Sequence, residues 1–118
     1  MPVQLILYHN PRCSSSRAAL KLLEDAGQHP EIVLYLETPP TASQLKELLA
    51  KLGIGARALM RTKEPVYREL GLAGEALSET ALIRAMAENP ILIERPILVA
   101  GKRAIVGRPP DRILDLIE

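Results

Sequence analysis

The sequence predicts an α/β fold in which a mixed four-stranded sheet carries helices on its faces. Three observations predict it. Short apolar runs at Val3–Tyr8 and Ile32–Leu36 bracket a segment of helical apolar spacing, a β-α-β unit whose strands run parallel. Near the other end, Ile97–Ala100 and Arg103–Val106 flank Gly101-Lys102, the pattern of an antiparallel hairpin. Between these patterns the chain shows helical periodicity and turn residues only. A length of 118 residues fits one domain.

Each element has its own signal. Val3–Tyr8 reads as a buried strand that Asn10 and Pro11 end. The following helix runs from Ser15 to Ala26, with Ala19, Leu20, Leu23 and Ala26 on one face and Gly27 as its stop. Ile32–Leu36 is the second strand. Thr41 and Gln44 have capping-box spacing, and Leu45, Leu48, Leu49 and Leu52 form the apolar stripe of the helix they start. Gly53 and Gly55 close it. Residues 56–75 read as short helical turns broken by Pro65 and Gly71. Ser78 caps a further helix through Glu88, with Glu79 well placed in its first turn, and Asn89-Pro90 stops it. Gly101 at the first turn position of the hairpin suits a type II′ turn. Pro109 and Pro110 fit the first turn of a last helix, Asp111–Ile117.

Composition excludes several function classes. Hydrophobic residues make up 47% and charged residues 25%, which is globular and not disordered. Leucine occurs 20 times while Phe and Trp are absent, so the core is aliphatic. With Tyr8, Tyr35 and Tyr67 as the only aromatics, a base-stacking surface for single-stranded nucleic acid is not expected. A net charge of +1 gives no basic footprint for DNA or RNA. No apolar run approaches a membrane span, and Met1–Tyr8 lacks the features of a signal peptide, so a cytoplasmic location is expected. One cysteine excludes an internal disulfide and a Cys-rich zinc site, and His9 and His29 are too few to build a metal centre.

Chemistry concentrates at Cys13, in the string His9-Asn10-Pro11-Arg12-Cys13-Ser14-Ser15-Ser16-Arg17. Free cysteines are commonly buried and inert. A thiol at a strand-to-helix junction, however, meets unpaired backbone N–H groups that stabilise a thiolate and form an oxyanion site. Arg12 and Arg17 add positive charge. A phosphatase-type loop needs Arg at the sixth position after the cysteine, and Ala19 stands there. A dithiol redox motif needs a second cysteine where Ser16 stands, so the motif is Cys-x-x-Ser. Any disulfide that Cys13 forms must therefore use a thiol from another molecule.

The string from His9 to Cys13, with Ser16-Arg17, resembles the active-site loop of glutaredoxin-dependent arsenate reductases. Tyr35-Leu36-Glu37-Thr38-Pro39-Pro40 resembles that family's exit from the second strand. Arg57–Arg61, Asn89–Ile97 and Gly107-Arg108-Pro109 resemble three segments that each carry one of its arginines. The resemblance implies a thioredoxin-like fold in a single domain, 1–118. Its core would be 1–37 and 90–118, with a helical insertion at 38–89 between the second and third strands. It implies Cys13 as nucleophile, and Arg61, Arg95 and Arg108 as the oxyanion-binding set. His9 is expected in the electrostatic surroundings of Cys13, and Ser16 as a hydrogen-bond partner of thiolate or anion. Pro96 is expected to follow a cis bond, although most X-Pro bonds are trans. Arginine's planar fork suits a tetrahedral oxyanion.

The implied reaction reduces arsenate to arsenite, with glutathione as co-substrate, glutaredoxin as protein partner and no bound cofactor. The chain is expected to act as a monomer, without nucleic acid or membrane. Two other readings stay open on the same scaffold. Cys-x-x-Ser also suits a monothiol, glutathione-linked thiol transferase. Relatives of the fold bind RNA polymerase as regulators, although the redox switch usual there is Cys-x-x-Cys.

Overall fold

A computed structural model describes residues 4–117. Their contacts divide the chain into two compact units, one formed by Met1–Thr38 with Arg95–Glu118, the other by Pro39–Glu94. Among the described residues no helix is long and apolar enough to cross a membrane.

The first unit holds the sheet. Strands β1 (Leu5–Tyr8), β2 (Glu31–Val33), β3 (Ile97–Ala100) and β4 (Arg103–Val106) lie in the order β2-β1-β3-β4. β1 pairs parallel with β2, antiparallel with β3, and β3 pairs antiparallel with β4. The register sets Leu7 opposite Leu98 and Leu98 opposite Ile105, so these three share a face. Against that face pack helix α1 (Ser14–Asp25), through Ala19 and Leu23, and a 3₁₀ helix (Pro110–Leu116), through Ile113. Leu7, Ala19, Leu23, Leu98 and Ile113 are fully buried, forming the aliphatic core that the absence of Phe and Trp requires.

Helix α1 ends in a Schellman motif. Gln28 N–H donates to Leu23 O, Gly27 N–H donates to Glu24 O, and Gly27 takes the left-handed φ of 78° that the motif needs. The hairpin turn is Gly101-Lys102, with Gly101 at φ 61° and no other described residue but glycine at positive φ. That excludes a type I′ turn, as expected for glycine at the first position alone. The Arg95–Pro96 bond that precedes β3 is cis, and so is Arg108–Pro109, which no sequence signal announced.

Some boundaries differ from expectation. Val3 lies outside the described residues. β2 stops at Val33, because the amides of Glu37 and Thr38 both turn back to the Leu34 carbonyl, so Leu34–Leu36 are turn and not strand. The last helix is 3₁₀ and begins at Pro110. Its bonds span three residues, as in Arg112 N–H to Pro109 O and Ile117 N–H to Leu114 O.

The second unit is helical. Helix α2 (Ala42–Leu52) opens with the expected capping box: Gln44 N–H donates to Thr41 Oγ1 at 3.1 Å, and Thr41 N–H donates to Gln44 Oε1 at 2.9 Å. It packs on α5 (Glu79–Glu88), whose first turn Ser78 caps. Two short helices lie between them, α3 (Ala56–Leu59) and α4 (Pro65–Glu69). Glu79 ties α5 to α3 by accepting the Ala56 N–H at 2.8 Å. Leu45, Leu48, Leu59, Met86 and Leu92 are among its buried side chains.

Candidate active site

The site is built on the turn between β1 and α1. Asn10 shapes it twice: its carbonyl accepts the Cys13 N–H at 3.0 Å, and its Oδ1 accepts the Arg12 N–H at 3.0 Å. An Asn-Pro pair favours this closure, because the Asn side chain mimics a backbone turn and Pro11 presets its own φ. Arg17 reaches back from α1, donating from Nη1 to Pro11 O at 2.8 Å. The turn delivers Cys13 to the N-cap position of α1 in an extended conformation, half-buried and free of any disulfide.

Ser16 begins the inward face of α1, the same face that carries Ala19 and Leu23 into the core. It is completely buried. Its Oγ shares a 2.6 Å hydrogen bond with His9 Nδ1 and accepts the Asn10 N–H at 3.0 Å. The Ser16 hydroxyl, expected on the thiolate or the anion, thus pins the end of β1 to the start of α1. The part of Ser16 that acts on the sulfur is its backbone N–H. His9 is buried, and its backbone N–H donates to Val33 O. Burial first, and the Arg17 charge second, push its pKa below the ordinary value, so the ring is neutral at pH 7. His9 is thus tied to the start of α1 through the Ser16 hydroxyl.

Cys13 sits among opposed influences. Burial raises its pKa, but the Ser16 N–H, the Arg95 guanidinium and the Ser15 N–H together outweigh burial and bring it below the ordinary thiol value. Arg108 adds a second guanidinium, with Nη2 3.8 Å from Cys13 Sγ. That arginine is held by its Nε, which donates to Arg95 O at 3.0 Å. The segment carrying it lies close on the proline: Gly107 N–H donates to Pro96 O at 2.8 Å. A Cβ on Gly107 would stand 2.9 Å from both Pro96 Cγ and Ile113 Cγ2, so only glycine fits there without displacement.

Arg95 and Arg108 thus converge on Cys13, with Pro96 between them in the chain and against Gly107. Arg61 belongs to the helical unit. There its Nε donates to Glu64 at 3.1 Å and its Nη1 to Glu94 at 2.7 Å, so two carboxylates hold the guanidinium. Two residues with structural weight at the site, Asn10 and Gly107, carry roles that the sequence analysis does not assign. Asn10 was findable from the Asn-Pro turn signal. Gly107 was not, because its tight contact depends on where Pro96 and Ile113 fold.

A parallel β-α-β half, an antiparallel hairpin entered through a cis proline, and a cysteine capping the first helix define a thioredoxin-like protein. Within that class, the chain belongs to the ArsC family, whose model matches residues 8–116. It is 55% identical over 118 residues to YfgD of Escherichia coli, an uncharacterized protein, with 99% of each chain covered. It is 51% identical to an arsenate reductase of Neisseria meningitidis, covering 93% of this chain and 95% of that one. An arsenate reductase of Vibrio cholerae, a solved structure, superposes with a TM-score of 0.94 at 48% identity, covering 98% of each chain.

Proposed function

We propose that this protein is an oxidoreductase that reduces arsenate to arsenite through the Cys13 thiolate, with glutathione and glutaredoxin supplying the electrons. One observation carries the reading: two arginines, Arg95 and Arg108, meet on a single cysteine whose thiolate the α1 N-terminus also favours. The relatives named arsenate reductase give the substrate. Arg95 and Arg108 offset the negative charge of the oxyanion, so that a negatively charged sulfur can approach it. The family resemblance adds Arg61 as a third anion ligand.

The thiolate attacks arsenic, and an oxygen leaves as water after protonation, which forms a sulfur–arsenic bond. A glutathione thiolate then attacks Cys13 Sγ. The sulfur–arsenic bond breaks, its electron pair stays on arsenic, and arsenic falls from the +5 to the +3 state as arsenite. Cys13 is left in a mixed disulfide with glutathione. A glutaredoxin thiolate attacks the glutathione sulfur and frees Cys13. Cys13 is the only cysteine in the sequence, so the second sulfur of each disulfide comes from outside. The cycle needs no bound cofactor and works on a monomer. It belongs in a reducing cytoplasm, where glutathione keeps thiols reduced.

Arsenate-dependent NADPH oxidation, coupled through glutathione, glutaredoxin and glutathione reductase, tests the proposal. Wild-type activity that Cys13→Ser abolishes is the expected result. Substantial turnover by Cys13→Ser would reject the nucleophile. A second reading rests on the same stabilised lone thiol, a glutathione-linked thiol transferase. Turnover of a glutathionylated substrate without arsenate would favour it.

A further inference from the structure

A cavity of about 310 Å³ lies beside the Cys13 loop, in the sheet unit. One wall is the tetrapeptide His9-Asn10-Pro11-Arg12 that leads directly into Cys13. The opposite chain segment contributes Leu34, Leu36 and Glu37 from the turn after β2. Its volume is at the lower end of the range for small-molecule sites, which runs from about 300 to 1,000 Å³.

The charges on this cavity are unusual. Arg12 and Glu37 both line it, both are exposed, and they form no ion pair with each other. Among the described residues neither side chain has a hydrogen-bond or ion-pair partner: what is engaged is backbone, the Arg12 N–H by Asn10 and the Glu37 N–H by Leu34 O. Opposite charges that share a cavity yet stay apart leave one free cation and one free anion available to a single ligand. Leu34 and Leu36 add an apolar wall. Such a lining complements a small zwitterion with an aliphatic stem, an α-amino-carboxylate above all.

We propose that this cavity binds the α-amino-carboxylate end of the peptide thiol that reacts at Cys13, with Arg12 on its carboxylate and Glu37 on its ammonium. The inference rests on the reading that Cys13 exchanges with glutathione, but it does not require arsenate. Glutathione carries a free α-amino-carboxylate on its γ-glutamyl residue. Arg12 immediately precedes the nucleophile in the chain, so a ligand held here lies on the loop that carries the reacting sulfur.

The test is thiol–disulfide exchange on the full chain, followed by mass spectrometry. The Cys13 thiolate attacks one sulfur of an added disulfide, the sulfur–sulfur bond breaks, and the departing thiolate takes the electron pair and then a proton. Two probes are compared, oxidised glutathione and the neutral hydroxyethyl disulfide, on wild type, Arg12→Gln and Glu37→Gln. Each variant is expected to slow modification by oxidised glutathione about three- to fivefold, the upper part of the range for one exposed ion pair. Each should leave the hydroxyethyl disulfide rate within about twofold, since that probe has no charge to bind.

General attraction of a net-negative probe would slow Arg12→Gln but accelerate Glu37→Gln, and that outcome overturns the proposal. So does equal slowing with both probes, which would place the effect on the sulfur. Unchanged rates with both probes overturn the cavity alone and leave the reductase reading standing. Failure of oxidised glutathione to modify wild type, where hydroxyethyl disulfide succeeds, overturns both the cavity and the glutathione-dependent reaction.

Discussion

Arg108 donates from Nε to the Arg95 carbonyl at 3.0 Å, and in that pose its Nη2 stands 3.8 Å from Cys13 Sγ. One arginine thus fixes itself on the backbone of another while both guanidinium groups act on the same sulfur. The fork of a guanidinium permits this, with separate donors for anchoring and for anion contact. Arg108→Lys removes the anchoring Nε and is expected to fall well short of wild type. Arg108→Ala should lower arsenate turnover about 10²-fold, the usual cost of losing one charge-stabilising donor. The coupled assay measures both, and wild-type rates in Arg108→Lys would show that only net charge matters.

The thiol itself should titrate below the ordinary value for a cysteine. Burial opposes ionisation, but the Ser16 N–H, Arg95 and the Ser15 N–H prevail. The rate of iodoacetamide alkylation against pH reads the midpoint. Arg95→Ala should move it upward. Linkage sets a sign for stability as well. A thiol acid with a depressed folded pKa stabilises the fold fully above its unfolded pKa, and the contribution is lost as pH falls through the folded value. Wild type should therefore gain stability over Cys13→Ser as pH rises through that window.

His9 gives a second pH signature. Burial, then Arg17, depress its pKa, so the fold binds the neutral ring. The unfolded chain takes up a proton near pH 6.5, and the folded chain only at lower pH. Stability from this residue is thus present above about pH 6.5 and declines as pH falls toward the folded value. Urea unfolding at pH 7 and pH 5.5 should show the decline in wild type and a smaller one in His9→Gln. Equal slopes would contradict a buried neutral His9.

Ser16→Ala should cost about 1–3 kcal/mol, because the Asn10 N–H and the His9 ring lose a buried partner. Its backbone N–H remains, so the Cys13 alkylation midpoint should move little. A large upward shift in that midpoint would show that the hydroxyl acts on the sulfur directly.

Gly107→Ala should destabilise by about 1–3 kcal/mol through overpacking. The added methyl would stand 2.9 Å from the Pro96 and Ile113 side chains. Thermal unfolding checks the loss, and unchanged stability would mean that the Arg108 segment can lift away from Pro96 freely.

These residues show what the sequence could and could not convey. Local signals were readable: the Gly27 stop, the Thr41–Gln44 capping box and the Gly101 turn each depend on neighbours a few positions apart. The end of β2 was not readable, because Leu34 and Leu36 are as apolar as a strand requires, while the turn is made by backbone bonds of Glu37 and Thr38. The site divides the same way. Cys13 at a strand-to-helix junction follows from local pattern. Arg108 stands 95 positions from Cys13 and meets it only after the hairpin has folded back, so composition and spacing were silent on it. Resemblance supplied that pairing. The role of the Ser16 hydroxyl came from neither, since it depends on which face of α1 turns inward.

The most direct measurement is a single turnover with arsenate and glutathione, with glutaredoxin left out. The account predicts one equivalent of arsenite per protein and a matching amount of Cys13 trapped as its glutathione mixed disulfide. Arsenite released while Cys13 stays unmodified, or no arsenite although Cys13 alkylates as a low-pKa thiol, would contradict it.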